Sequence, residues 1–97
     1  MSKPFDMELF LAGMLTGSHA TRQRHLRQAT LIQAEIADRW QLKTPWAWRR
    51  KHLAWFLEHR LERRSKATRY YYLLTVRLLI RRLERSWDFQ STLKTEC

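Results

Sequence analysis

The sequence contains little that would interrupt a helix or cross-link the chain. Glycine and proline occur only twice each among 97 residues, which leaves little room for β-hairpins or long loops. The single cysteine, Cys97, is the last residue, so it cannot form an internal disulfide, and this fits a reducing compartment. These shortages predict one small, helical, cytoplasmic domain.

Membrane and catalytic signatures are also missing. No apolar run approaches the roughly 20 residues of a membrane span, and the N-terminus lacks the apolar core of a signal peptide. No His or Cys pair has zinc-finger spacing, and there is no glycine-rich phosphate loop or nucleophile elbow. Glu58 and Glu62 lie among arginines, which favours a solvated face over a catalytic dyad. We therefore expect no enzyme activity, metal, cofactor, small-molecule substrate or membrane partner.

The charge that remains is strongly positive. Nineteen Lys and Arg stand against nine Asp and Glu, which gives a net charge of +10 and a pI near 10.9. A small domain with such an excess repels itself and is best tolerated beside a polyanion. Nucleic acid is the first candidate, and an anionic membrane surface is the second.

Caps and apolar periodicity predict an all-α, four-helix, bundle-like single domain. Ser18 and Ser65 are expected N-caps, Thr44 with Pro45 is a third helix start, and Gly17 is the expected end of the first helix. The predicted helices cover residues 5–15, 18–40, 44–63 and 66–87. The first helix forms a predicted N-terminal unit, 1–17, and the other three form a DNA-binding unit, 18–88. Residues 89–97 are predicted to be a flexible tail. The predicted buried residues are His25, Ile32, Ile36, Leu53, Leu57, Tyr72, Val76, Leu79 and Leu83.

The second and fourth helices share a pattern at an offset of 47 residues. Ser-His-Ala-Thr-Arg at 18–22 matches Ser-Lys-Ala-Thr-Arg at 65–69. The same offset carries Leu26 onto Leu73 and Trp40 onto Trp87. Any two capped amphipathic helices share a cap and a stripe, so a duplicated helix pair and a coincidental likeness both remain open.

Each repeat has the form Ser-x-x-Thr-x-x-x followed by an aromatic or aromatic-like residue, His25 in the first and Tyr72 in the second. Between them lies a helix with Leu53, Phe56 and Leu57. This arrangement resembles the N-terminal core-binding domain of tyrosine recombinases, the phage and integron integrases, over about 18–87. His25 stands where that family usually has Tyr. The family's catalytic Arg, Lys, His and Tyr belong to a separate domain that has no counterpart in this sequence.

The resemblance implies a non-catalytic protein that binds double-stranded DNA, as an accessory or regulator of a mobile element. It places helices two and four against the duplex, with basic residues on phosphates and Arg69, beside Tyr70 and Tyr71, at a base edge. The predicted DNA-binding residues are Arg22, Arg24, Arg27, Arg49, Arg50, Lys51, Lys66, Thr68, Arg69, Tyr70 and Arg77.

Three alternatives remain open from the sequence. Arg-rich helices also enter RNA grooves, and a basic amphipathic helix can lie on a membrane. The third is a protein-interaction module, because Trp40, Trp46, Trp55 and Trp87 fit the core or its edge whereas Trp48 does not. An exposed Trp48 would suit a recombinase or a second copy of the chain.

Overall fold

The chain folds into helices in a computed structural model that describes residues 5–87. The α-helices are α1 (Met7–Phe10), α2 (His19–Trp40), α3 (Arg50–Trp55) and α4 (Lys66–Leu83). A 3-10 turn, Pro45–Ala47, precedes α3, and a π-helical segment, Phe56–Arg60, continues it. No strand occurs among residues 5–87. The prediction of a small all-α domain is confirmed, and the predicted tail, 89–97, lies outside the described residues.

The two long helices begin at the predicted serines. The backbone N–H of Thr21 donates to Ser18 Oγ at 3.2 Å, and that of Thr68 donates to Ser65 Oγ at 3.1 Å. The cap dihedrals agree closely, with φ −68° and ψ 163° at Ser18 and φ −65° and ψ 162° at Ser65. Each serine hydroxyl also bonds to the threonine hydroxyl three residues on, at 3.0 and 3.1 Å. The 47-residue repeat therefore has the same local geometry at both helix starts.

The fourth helix ends earlier than predicted. It stops at Leu83, and Glu84 takes the left-handed conformation with φ 57°. The backbone N–H of Arg85 then donates to the carbonyl of Ile80 at 3.1 Å, which is a Schellman stop. The sequence concealed this stop because the left-handed position is usually Gly or Asn. Trp87 therefore lies beyond the helix, where it packs partly buried against the core.

The prediction of a first helix over 5–15 was wrong in length. Asp6 is the N-cap, since its carboxylate accepts from Leu9 N–H at 3.1 Å, and the helix ends at Phe10. Residues 11–14 continue as turns. Gly17 has the expected positive φ of 91°, but it precedes the Ser18 cap and does not end α1.

The third predicted helix, 44–63, is broken. Thr44 makes no side-chain cap bond, and the turn that begins at Pro45 ends after Ala47. Trp48 and Arg49 are extended before α3 begins at Arg50. The break lets Trp48 enter the core, where 2% of it is exposed, and leaves Trp46 53% exposed. The expectation of an exposed Trp48 is therefore wrong, whereas Trp46 lies at the edge of the core, with its ring 5.2 Å from that of Phe10.

The core lies where α2, α3, the π-helical segment and α4 meet. All nine residues predicted to be buried are buried, and Ile32, Ile36, Leu53, Val76 and Leu79 are fully enclosed. α1 joins this core through Phe10, and Arg82 of α4 fastens it by donating from Nε to the Phe10 carbonyl at 2.7 Å.

Candidate nucleic-acid interface

α2 and α4 run in the same direction where they touch. Arg24 contacts Tyr71, with the guanidinium carbon 4.3 Å from the ring centroid. One turn later, Thr75 Oγ1 donates to Gln28 Oε1 at 2.7 Å. Each contact joins residues 47 apart, so one step forward along α2 is one step forward along α4. Both helix N-termini therefore lie at the same end of the pair, where their dipoles attract anions together.

The N-terminal half of α2 and the whole of α4 contribute no acidic residue to the surface around this contact. The sequence has no Asp or Glu between Glu8 and Glu35, and none between Glu62 and Glu84. Neither α2 nor α4 has an acid in its first turn. Acids would normally be placed there to complement the helix dipole. Their absence leaves the N-terminal half of α2 and all of α4 without negative charge.

One exposed face of α4 is basic and aromatic along its whole length. Lys66, Tyr70, Arg77 and Arg81 are all exposed, and their spacing of 4, 7 and 4 keeps them on one side of the helix. Arg27 of α2 is likewise exposed, one turn beyond Arg24. We call the following set the α2–α4 surface: Arg24, Arg27, Lys66, Tyr70, Tyr71, Arg77 and Arg81.

Tyr70 and Tyr71 present two rings on this surface. Tyr70 is 53% exposed and Tyr71 is 38% exposed, and the rings meet edge to face at 5.8 Å. Tyr72 points the other way and packs in the core against Phe56. The prediction that one of the three tyrosines is buried is confirmed.

A buried polar cluster lies next to the Arg24–Tyr71 contact. His25 Nδ1 and Thr75 Oγ1 are 2.8 Å apart, and Thr75 is fully enclosed. The Thr75 hydroxyl also donates to Gln28 Oε1, so the hydrogen bonds of this side chain join α2 to α4 at this point. Burial, and then the positive charge of Arg24, lower the pKa of His25 from 6.5. The folded protein therefore holds His25 neutral near pH 7.

The lowered pKa of His25 makes stability fall in mild acid. The unfolded chain takes up a proton near pH 6.5 and the folded chain only at lower pH, so unfolding is favoured as pH drops between those two values. We expect the unfolding free energy measured with urea to decrease from pH 7.5 to 5.5. A His25→Asn variant should show a smaller decrease, because it has no proton to gain. His59→Asn, at an exposed position, is the control, and an equal effect there would contradict the assignment.

Three further predicted residues lie near the N-termini of the two helices. Arg22 stands two residues before Arg24, on nearly the opposite side of α2, and Arg69 lies one turn after Lys66 on α4. Arg22 bonds to the Gly17 carbonyl at 3.4 Å, and Arg69 is half-buried with Nε enclosed. The Thr68 hydroxyl accepts from Ser65 within the cap.

The predicted patch of Arg49, Arg50 and Lys51 forms a separate region at the other end of α2. The Arg49 N–H donates to His52 Nδ1 at 2.8 Å, and the His52 ring meets Trp40 at 4.6 Å. Burial, followed by the charges of Lys51 and Arg49, lowers the pKa of His52. The 16 residues from Arg24 to Trp40 span roughly 24 Å of helix, so the structure does not bring this patch beside Arg24.

Tyr71 and Arg81 belong to the surface but were not among the predicted binding residues. The signal for Tyr71 was present in the sequence, because the 47-residue offset pairs it with Arg24. Arg81 follows Arg77 by one turn, and the same periodicity that places Arg77 on the exposed face also places Arg81 there.

Two other kinds of site were sought in the described part of the chain. No helix within residues 5–87 is long and apolar enough to cross a membrane. Over the same residues, no three His, Cys, Asp or Glu side chains are grouped to hold a metal ion.

Comparison of the chain with protein-family models, with curated proteins and with solved structures finds no match. The resemblance to recombinase core-binding domains therefore rests on the sequence motifs.

Proposed function

We propose that this chain is a non-catalytic protein that binds double-stranded DNA through the α2–α4 surface. The observation that carries the proposal is a helix pair that runs in one direction, with both N-termini at one end, no acidic residue in α4 or in the N-terminal half of α2, and exposed basic residues along one face of α4. Phosphates attract such a surface without regard to sequence and supply much of the affinity of DNA-binding proteins. A cytoplasmic location, where Cys97 stays reduced, is part of the proposal.

The packing of α4 favours nucleic acid over a membrane as the polyanion. A helix that lies on lipid inserts a broad apolar face between its charges. Here the broad apolar face of α4 is occupied by the core through Val76, Leu79 and Leu83. The recombinase resemblance extends the proposal to an accessory or regulatory role beside the recombinase of a mobile element.

A charge-reversal pair tests the proposal. Arg77→Glu and Lys43→Glu change the net charge equally at exposed positions, but only Arg77 lies on the α2–α4 surface. We expect Arg77→Glu to weaken binding to a labelled duplex at about 50 mM salt by at least tenfold more than Lys43→Glu does, because opposite charge faces the phosphate backbone. Equal weakening would mean that net charge alone drives binding and would contradict the assigned surface.

Competition identifies the nucleic acid. Unlabelled duplex DNA is expected to displace the labelled duplex at lower concentration than single-stranded DNA, double-stranded RNA or anionic vesicles. Preferential displacement by RNA would replace the proposal with the RNA-binding alternative. Absence of duplex binding at about 50 mM salt would remove the proposal, because phosphate contacts are strongest at low salt.

The proposed function implies a protein that binds DNA without cutting it. We expect purified protein to leave supercoiled DNA uncut and unjoined, with or without divalent metal. Tyr70 is the most exposed hydroxyl of the three adjacent tyrosines, so it is the one to monitor for a covalent adduct by denaturing electrophoresis of labelled DNA. An adduct lost in Tyr70→Phe would overturn the non-catalytic assignment.

A further inference from the structure

Arg24 is held differently from the other basic residues of the α2–α4 surface. Its guanidinium carbon lies 4.3 Å from the centroid of the Tyr71 ring, and Arg24 is half-buried, whereas Arg27, Lys66 and Arg77 are exposed. A guanidinium stacked on an aromatic ring loses freedom before any ligand arrives. A later contact through this group then costs less ordering than one through a free side chain.

The hydrogen-bonding edge of Arg24 remains available. Nε is enclosed with no hydrogen-bond partner, while its two terminal nitrogens are not enclosed in this way. No acidic residue lies within ten positions of Arg24 along the chain. The guanidinium of Arg24 is therefore held against the Tyr71 ring. It has no acidic residue near it along the chain, and its terminal nitrogens are not enclosed.

Two other helical arginines lie over aromatic rings, and neither combines these properties. Arg82 lies over Phe10 at 4.7 Å, but its Nε is already bonded to the Phe10 carbonyl. Arg39 lies over Trp40 at 5.1 Å and lines an open depression together with Glu35 and Asp38. Both have local partners or local countercharges, and Arg24 has neither.

We infer that Arg24, positioned by the Tyr71 ring, is the residue that reads a guanine in the major groove of a bound duplex. Guanine presents O6 and N7 as two acceptors there, and a planar arginine fork satisfies both. The surrounding residues Arg27, Lys66 and Arg77 contact phosphates and set the register of the helix pair. The inference rests on the proposed DNA binding, and it gives the base-reading role to Arg24 instead of Arg69.

The test begins with selection of preferred duplexes from a randomised pool by the wild-type protein. Affinities are then measured for the selected duplex and for versions with one base pair replaced at each position. Arg24→Lys keeps the charge but loses the fork, and Tyr71→Leu keeps Arg24 but removes the ring. We expect both variants to lose the preference for guanine at one shared position, by about 5- to 150-fold, with little change in affinity for random duplex.

Two matched variants control for general damage. Tyr71→Phe retains the ring and is expected to retain the preference. Arg27→Lys makes the same substitution one turn along α2, at an exposed arginine, and is expected to leave the base preference unchanged. Equal melting temperatures across the set show that the fold is intact.

The outcomes separate this inference from the proposed function. Failure of the wild-type protein to bind any duplex would remove the proposed function and the inference with it. Duplex binding with no selected guanine, or with a preference that survives Arg24→Lys, would overturn the inference and leave DNA binding in place. A preference lost in Arg24→Lys but kept in Tyr71→Leu would overturn the role of the ring.

Discussion

Affinity for duplex DNA is expected to fall roughly 100- to 2,000-fold when salt rises from about 50 to about 200 mM. The estimate assumes about four to six phosphate contacts, with a log–log slope of about −0.9 for each phosphate neutralised. The α2–α4 surface supplies four exposed basic side chains toward this number: Arg27, Lys66, Arg77 and Arg81. Titration of labelled duplex at several salt concentrations measures the slope directly.

The second basic region is tested through the same slope. Arg49, Arg50 and Lys51 are all exposed, and roughly 24 Å of helix corresponds to about seven base pairs of duplex. If one bound duplex contacts both regions, all three residues contribute to the slope. Replacing all three residues with Ala is expected to flatten the slope by up to about 0.9 per lost contact, while helix content stays unchanged. Lys43→Ala is the control, and an unchanged slope in the triple variant would confine binding to the α2–α4 surface.

Leu79→Ala is expected to lower the unfolding free energy by about 2–5 kcal/mol. Leu79 is fully buried in the core face of α4, so truncation leaves a cavity where α2 and the π-helical segment pack against α4. Leu9→Ala removes the same atoms from a side chain that is 73% exposed, and its effect is expected to stay below about 0.5 kcal/mol. Urea unfolding followed by circular dichroism measures both.

A small domain is sensitive to this change, because total stabilities are only about 5–15 kcal/mol. Leu79→Ala should therefore lower the melting temperature clearly, by roughly 4–8 °C for each kcal/mol lost. An undisturbed melting temperature would mean that Leu79 does not pack as the structure shows.

The features that could be predicted from sequence are those written in short, local patterns. At the starts of α2 and α4, a serine side chain accepts a hydrogen bond from the backbone N–H three residues later. Apolar positions with a period of 3.6 residues set the buried faces of both helices. The third helix was harder, because Thr44-Pro45 is a local start signal but Trp48 makes tertiary contacts. Burial of one large ring outweighed helix continuity at residues 48 and 49. The end of α4 was also hidden, since Glu84 adopts φ 57° without being glycine.

The candidate interface was predicted in composition more than in arrangement. Charge excess and periodicity placed Arg27, Lys66 and Arg77 on an exposed face, where the structure also has them. The sequence could not show that Arg24 rests on Tyr71, because the contact depends on the relative direction of two helices that lie far apart along the chain. The sequence pointed to Arg69 as the base reader because it is adjacent to two tyrosines.

The shared direction of α2 and α4 has a consequence for how easily one helix can slide along the other. No short loop joins them, since residues 41–65 must return along the full length of α2 before α4 begins. Alignment therefore depends on the side chains that meet between them. A slip of α4 by one turn would bring Leu79 opposite Gln28 in place of Thr75, and the amide oxygen would lose its 2.7 Å partner. A hydrogen bond of this kind contributes about 0.5–1.5 kcal/mol, so the Gln28–Thr75 bond opposes axial displacement of one helix past the other.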